Sequence, residues 1–85
     1  MNKVTKNNTM YKYSFMEHLV SLEGETHKTY AIVIEEKKGD EWVRASVIHD
    51  VTSELDQIKS LVKTCEDGQL HPIHLLSVVE DFIGA

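Results

Sequence analysis

The sequence predicts an α+β domain: a three-stranded antiparallel β-meander with two C-terminal helices packed on one face, in the order β-β-β-α-α. Three observations predict it. Lys28 to His49 holds two apolar-rich runs joined by the charged turn Lys38-Gly39-Asp40, the pattern of a β-hairpin. Upstream, Tyr11, Tyr13 and Phe15 alternate with Lys12 and Ser14, the two-residue period of a strand. Downstream, apolar residues recur three and four apart in two blocks separated by Asp67-Gly68 and His71-Pro72, the period of amphipathic helices.

Taken in order, Met1 to Thr9 is polar and reads as a loose tail, with one domain over residues 10–85. Met10 to Leu22 opens as a strand, and its aromatic content favours that state. The alternation weakens after Phe15, so a bulge there, or a short helix from Ser14 onward, is the competing reading. Glu23-Gly24-Glu25 is a turn signal. In the next strand Tyr30, Ile32 and Ile34 share one face, and Ala31 and Val33 lie on the other. With both faces apolar at its middle, this run is expected at the centre of the sheet. After Gly39, which tolerates positive φ, Val43, Ala45, Val47 and His49 are expected to face the core, with Trp42 at an edge or rim. Sequential strands with short connections pair as a meander.

The sheet's apolar face needs a cover, and the second half of the chain supplies it. Thr52 or Ser53 can cap the first helix, and Ser53 with Asp56 has capping-box spacing. Glu54 and Asp56 suit its positive end. Leu55, Ile58, Leu61, Val62 and Cys65 form its apolar stripe. Gly68 is expected to end it as the residue past the C-cap. His71 then serves as the N-cap, with Pro72 at the first helical position. Ile73, Leu76, Val79, Phe82 and Ile83, with Leu75 beside them, give the second stripe. So short a connection predicts an angular or antiparallel helix pair.

At 85 residues the chain holds one domain and buries a modest share of its surface. Its stability margin is therefore thin, and a partner subunit would help. Apolar residues make up 41%, enough for a core. The formal charge of −5 argues against a nucleic-acid backbone as partner, because that binding draws on clustered Lys and Arg. The one cysteine excludes an internal disulfide. No apolar run is long enough to span a bilayer, and Lys3 and Lys6 are followed by no apolar signal core. A cytoplasmic location is expected.

The densest chemistry lies between Cys65 and Asp81. Cys65, His71 and His74 are the candidate metal ligands, since a thiolate and imidazoles suit zinc. Against this, Cys65 sits on an apolar stripe, where cysteine behaves as a small hydrophobe, and no C-x-x-C pair exists. The plainer reading has Cys65 in the core and the histidines packing around the inter-helix turn. A Cys-His nucleophile pair needs an activating environment that nothing in the sequence marks. His71-Pro72-x-His74 could offer an anion the free amides of a helix start, or simply start the helix. Glu80 and Asp81 stand where negative charge is mildly unfavourable, either to meet a basic partner or as a solvated face. The candidate interaction residues are Trp42, Tyr11, Tyr13 and Asp81. Aromatics anchor protein interfaces, but cross-strand packing is the plainer use of those on a sheet. Base stacking comes third, because few basic residues interleave with them.

The segments Y30-A-I-V-I, D50-V-T-S, L61-V-K-T-C-E, L70-H-P-I-H-L and V78-V-E-D-F-I together resemble a family of small uncharacterised proteins from clostridia and related Firmicutes. The resemblance covers Tyr11 to Gly84. It implies a bacterial cytoplasmic setting and a stand-alone domain, assigns no activity, and adds weight to Cys65, His74 and Asp81 as positions of interest. The reading that follows is a non-enzymatic interaction or regulatory module with a protein partner or self-association, no cofactor and no membrane contact. A small metal-dependent or Cys/His enzyme is the alternative. Nucleic-acid binding is disfavoured further because Pro72 to Ile83 contains no Lys or Arg.

Overall fold

The structure, a computed structural model, describes residues 10–84; the tail expected over residues 1–9 lies outside them. Strands β1 (Tyr11–Leu22), β2 (Glu25–Lys38) and β3 (Glu41–Thr52) form one antiparallel sheet in the order β1-β2-β3. Helix α1 (Leu55–Asp67), a single 3-10 turn (Pro72–His74) and helix α2 (Leu75–Gly84) follow. The expected β-β-β-α-α meander with its helices on one face is the observed architecture.

Each hairpin closes with a two-residue turn whose handedness matches strand twist. At Glu23-Gly24 both central residues have positive φ, 53° and 80°. At Gly39-Asp40 only Gly39 does, at 63°. β1 pairs with β2 without interruption from Tyr11↔Glu36 to Leu22↔Glu25, so neither a helix from Ser14 nor a bulge after Phe15 is present. The alternation weakens where the strand runs out into an arm, whose side chains have no core to face. Beyond Tyr30↔Thr52 there is no β3 partner, and His18–Leu22 and Glu25–Thr29 continue as a two-stranded ribbon exposed on both faces. Five residue pairs at strand rise extend about 17 Å. The arm makes the molecule long, 60 × 29 × 17 Å with a radius of gyration of 15.1 Å, where a compact chain of this length would have about 12 Å.

Directly paired residues share a face, so Tyr13↔Ile34 and Phe15↔Ile32 point together toward the helices. On β3 the expectation of Val43, Ala45, Val47 and His49 as one core face fails. The register shifts between Ile34↔Ser46 and Glu35↔Arg44, leaving Ala45 as an extra residue, and one extra residue reverses every side chain beyond it. Ile48 therefore joins Ile32 in the core, while Val47 lies opposite Val33 on the other face. A second irregularity, containing Asp50 at φ 56°, turns Val51 back into the core.

Ile58, Leu61 and Cys65 of α1, with Leu75 and Val79 of α2, close over Tyr13, Tyr30, Ile32 and Ile34. Each fully buried aliphatic side chain contributes about 1.5 to 3 kcal/mol through water exclusion. On α2 Leu75 and Val79 are the core residues; Leu76, expected in the stripe, is exposed. The helix ends also differ from expectation. α1 begins after Glu54 with no side-chain cap. The Thr52 hydroxyl instead braces the approach to the helix, accepting from the N–H of Glu54 at 3.1 Å and donating to Gln57 at 2.6 Å, and Ser53 does not cap. At the other end Gly68 is right-handed, and Gln69 carries the positive φ of 49°. Leu70 N–H donates to Cys65 C=O at 3.0 Å and Gln69 N–H to Glu66 C=O at 3.1 Å, the paired bonds of a Schellman end.

Candidate functional site

The connection from α1 to α2 gathers most of the residues singled out by chemistry. Tyr13, only 5% exposed, reaches up from β1, and its hydroxyl donates to Leu70 C=O at 2.8 Å. Burial, helped by the neighbouring Cys65, Tyr11 and Glu66, raises its phenol above the ordinary range. Tyr13 thus pins the helix connection to the sheet and is not a surface anchor. Tyr11 stands beside it, half-buried, with its ring edge-on to His71 at 5.7 Å. His71 is an N-cap, Nδ1 accepting from Ile73 N–H at 3.2 Å, but it caps the 3-10 turn Pro72–His74, and α2, expected to begin at Pro72, begins at Leu75. Its ring lies 6.4 Å from that of His74.

Cys65 is in the core, and burial pushes its thiol pKa up. A thiol held protonated is both a poor nucleophile and a poor ligand. Among the described residues no three His, Cys, Asp or Glu side chains converge closely enough to hold a metal ion, and a zinc site needs three or four. Cys65 therefore packs apart, in the core, while His71 and His74 lie ring beside ring at the helix connection. No cavity opens among the described residues, so the chemistry of this region is that of a braced joint.

Trp42 belongs to a different surface. On the sheet face away from the helices, Lys12 Nζ sits 4.4 Å from the centre of the half-buried Trp42 ring, and Lys37 Nζ approaches to 5.9 Å. Register puts the three side by side, Lys37 being paired with Trp42. Cations over an aromatic face are held by its quadrupole, at about 0.5 to 1 kcal/mol when exposed. Beside them the Arg44 guanidinium donates to Met16 Sδ at 3.8 Å. Ala31 and Val33 lie beneath at 1% and 3% exposure, shielded only by the side chains of the flanking strands; among the described residues no helix lies over this face. Farther along, His18 and His49 approach to 6.5 Å between ring centres.

The second surface is the outward side of α2. Leu76 is 57% exposed and Ile83 48%, and Ile73, in the 3-10 turn just ahead of the helix, is 75% exposed. Leu76 and Ile83 are seven apart and align on one side of the helix, with Glu80 between them; Asp81 flanks the row, and both carboxylates are exposed. Sequence reasoning assigned Leu76, Ile73 and Ile83 to the core and missed this surface. The signal was available: Ile73, Leu75, Leu76, Val78, Val79, Phe82 and Ile83 are more apolar residues than one buried stripe requires. Lys37 stands across the tight β2–β3 turn from Trp42, but nothing local places Lys12 there.

No curated protein matches the chain, and no solved structure matches it. One family model does, over residues 1–85. Its span takes in the braced joint, the uncovered sheet face and the outward side of α2 alike, and the chain belongs to the Family of unknown function (DUF6514).

Proposed function

We propose that this chain is a non-enzymatic protein-interaction module, and that the outward side of α2 is its docking surface. One observation carries the reading. Leu76 and Ile83 hold large aliphatic side chains in water on one side of α2, and Ile73 does so in the 3-10 turn just before it, while Leu75 and Val79 of the same helix are buried in the core. Fully burying such a side chain is worth about 1.5 to 3 kcal/mol, a large part of which is forgone at each, and aliphatic residues grouped beside charged ones are the usual composition of a contact surface. Asp81 and Glu80 border the row and favour a partner with positive charge. The setting proposed with this role is the bacterial cytoplasm of clostridia and related Firmicutes, as the family resemblance implies; among the described residues no helix is long and apolar enough to cross a membrane.

The test is affinity capture with the tagged chain from its own host, beside a variant carrying Ile73→Ser, Leu76→Ser and Ile83→Ser. These side chains are exposed, so the variant is expected to keep the wild-type circular dichroism spectrum. The wild type should retain at least one protein that the variant releases. Identical captures from the two would overturn the assignment of the surface.

A further inference from the structure

The two surfaces just described differ in charge and agree in apolar content. The uncovered sheet face carries Lys12, Lys37 and Arg44 against Glu35, around Trp42, Met16 and Val47. The outward side of α2 carries Glu80 and Asp81 around Leu76 and Ile83, and no cation. They lie on opposite sides of the molecule, because α2 packs against the sheet's other face, so one chain cannot bring them together.

We propose that the occupant of the uncovered sheet face is a second copy of this chain, whose α2 lies across it, so that molecules associate head to tail. This rests on the interaction reading and names the partner. Charge chooses the geometry. Sheet face against sheet face would oppose Lys12, Lys37 and Arg44 with their own copies. Two α2 helices side by side would crowd four carboxylates together. The mixed pairing alone sets Glu80 and Asp81 against lysine and arginine, and like charges brought together across an interface are what suppress the wrong partner.

Packing supports the same choice. A sheet with apolar residues at the centre of both faces reaches a stable layered arrangement when each face is covered. Here α1 and α2 cover one face only; on the other, Ala31 and Val33 are already buried, but Met16, Trp42 and Val47 above and beside them are only half-buried. A helix presenting Leu76 and Ile83 supplies the missing layer. α2 is about 15 Å long, from ten residues at 1.5 Å each. The contact therefore belongs with the smallest specific interfaces, and association is expected at concentrations on the order of 100 µM. Each added molecule leaves one surface of each kind free, so a contact of this type continues as an open chain unless its rotation closes a ring.

Sedimentation velocity of the purified chain over a concentration series gives the first test. The weight-average mass should rise past that of a dimer. Two variants make the second. Lys37→Glu with Arg44→Glu disables the sheet face and leaves α2 intact. Leu76→Ser with Ile83→Ser removes the apolar contact of α2 without adding charge and leaves the sheet face intact. All four positions are exposed, and unchanged circular dichroism verifies the fold. Each variant alone should remain monomeric. Their equimolar mixture should form a 1:1 dimer that grows no further, because one live surface of each kind remains, with at least tenfold tighter association than either variant alone. A wild type that stays monomeric throughout the series overturns the proposal, as does a wild type that stops at a dimer while the mixed variants ignore one another. If the purified chain fails to self-associate while capture still retains a host protein through α2, the second copy is wrong and the interaction reading stands; failure of both removes both.

Discussion

Replacing Tyr13 with Phe removes one oxygen and tests whether the joint between the helices is held as described. The ring stays in place, being 5% exposed and packed with Ile34 and Cys65 in the core. What disappears is the donor to Leu70 C=O at 2.8 Å. A neutral hydrogen bond contributes a net 0.5 to 1.5 kcal/mol or so, and a carbonyl left unpaired in the interior costs about 1 to 3 kcal/mol. Leu70 is half-buried, so water can reach its carbonyl in part and the larger penalty is not realised. The expected loss is about 1 to 1.5 kcal/mol. For a domain of this size each kcal/mol lowers Tm by roughly 4 to 8 °C. Urea unfolding followed by circular dichroism should show a lower midpoint with an unchanged slope, the mark of altered stability without altered compactness. Hydrogen exchange should quicken at Gln69 and Leu70, whose amides close the Schellman end, before it quickens in the strands. A Tyr13→Phe variant within about 0.3 kcal/mol of wild type, set against the general point-mutation range, would mean that the hydroxyl bonds equally well to water and that the joint is held by apolar packing alone.

Two further outcomes are expected. Leu61→Ala should destabilise by about 2 to 5 kcal/mol, because Leu61 is fully buried. Leu76→Ala should stay within about 0.5 kcal/mol, because Leu76 faces out; equal losses in chemical denaturation of dilute protein would show that the outward side of α2 has been misassigned. Stability should also fall in alkali. Burial raises the pKa of both Tyr13 and Cys65, so the unfolded chain gives up these protons first. The folded state loses stability as pH climbs from the ordinary thiol and phenol ranges, about 8.5 to 10, through the raised values. Tyr13→Phe with Cys65→Ala should flatten that fall in a urea-midpoint series; an unchanged slope would refute the coupling.

The fold was legible because its signals are local and repeated. Tyr11, Tyr13 and Phe15 alternate, Ile58, Leu61 and Cys65 recur at helical spacing, and Gly24 and Gly39 mark the two tight turns. A chain must satisfy its backbone hydrogen bonds and bury its apolar residues within a few neighbours, so these periods survive in the sequence. The ends of elements were less legible. Gly68 invited the left-handed position that Gln69 takes, and Ser53 invited a cap that no side chain provides, Thr52 bonding the amide of Glu54 ahead of the helix.

The candidate surfaces were the least legible part. Trp42 was recognised as a rim residue, but its two lysines come from β1 and from the far side of the β2–β3 turn, and only the pairing of strands brings them together. The core face of β3 could not be read through the extra residue at Ala45, since a single insertion reverses inward and outward without changing composition. Leu75 and Leu76 are identical side chains one position apart, and only the rotation of α2 against β3 decides that the first is buried and the second meets water. The amino-acid sequence by itself thus determined the order and type of elements, which follow from short-range periodicity. The tertiary structure alone decided which apolar residues were left over at the surface, because that depends on register and helix rotation, set by packing between segments far apart in the chain.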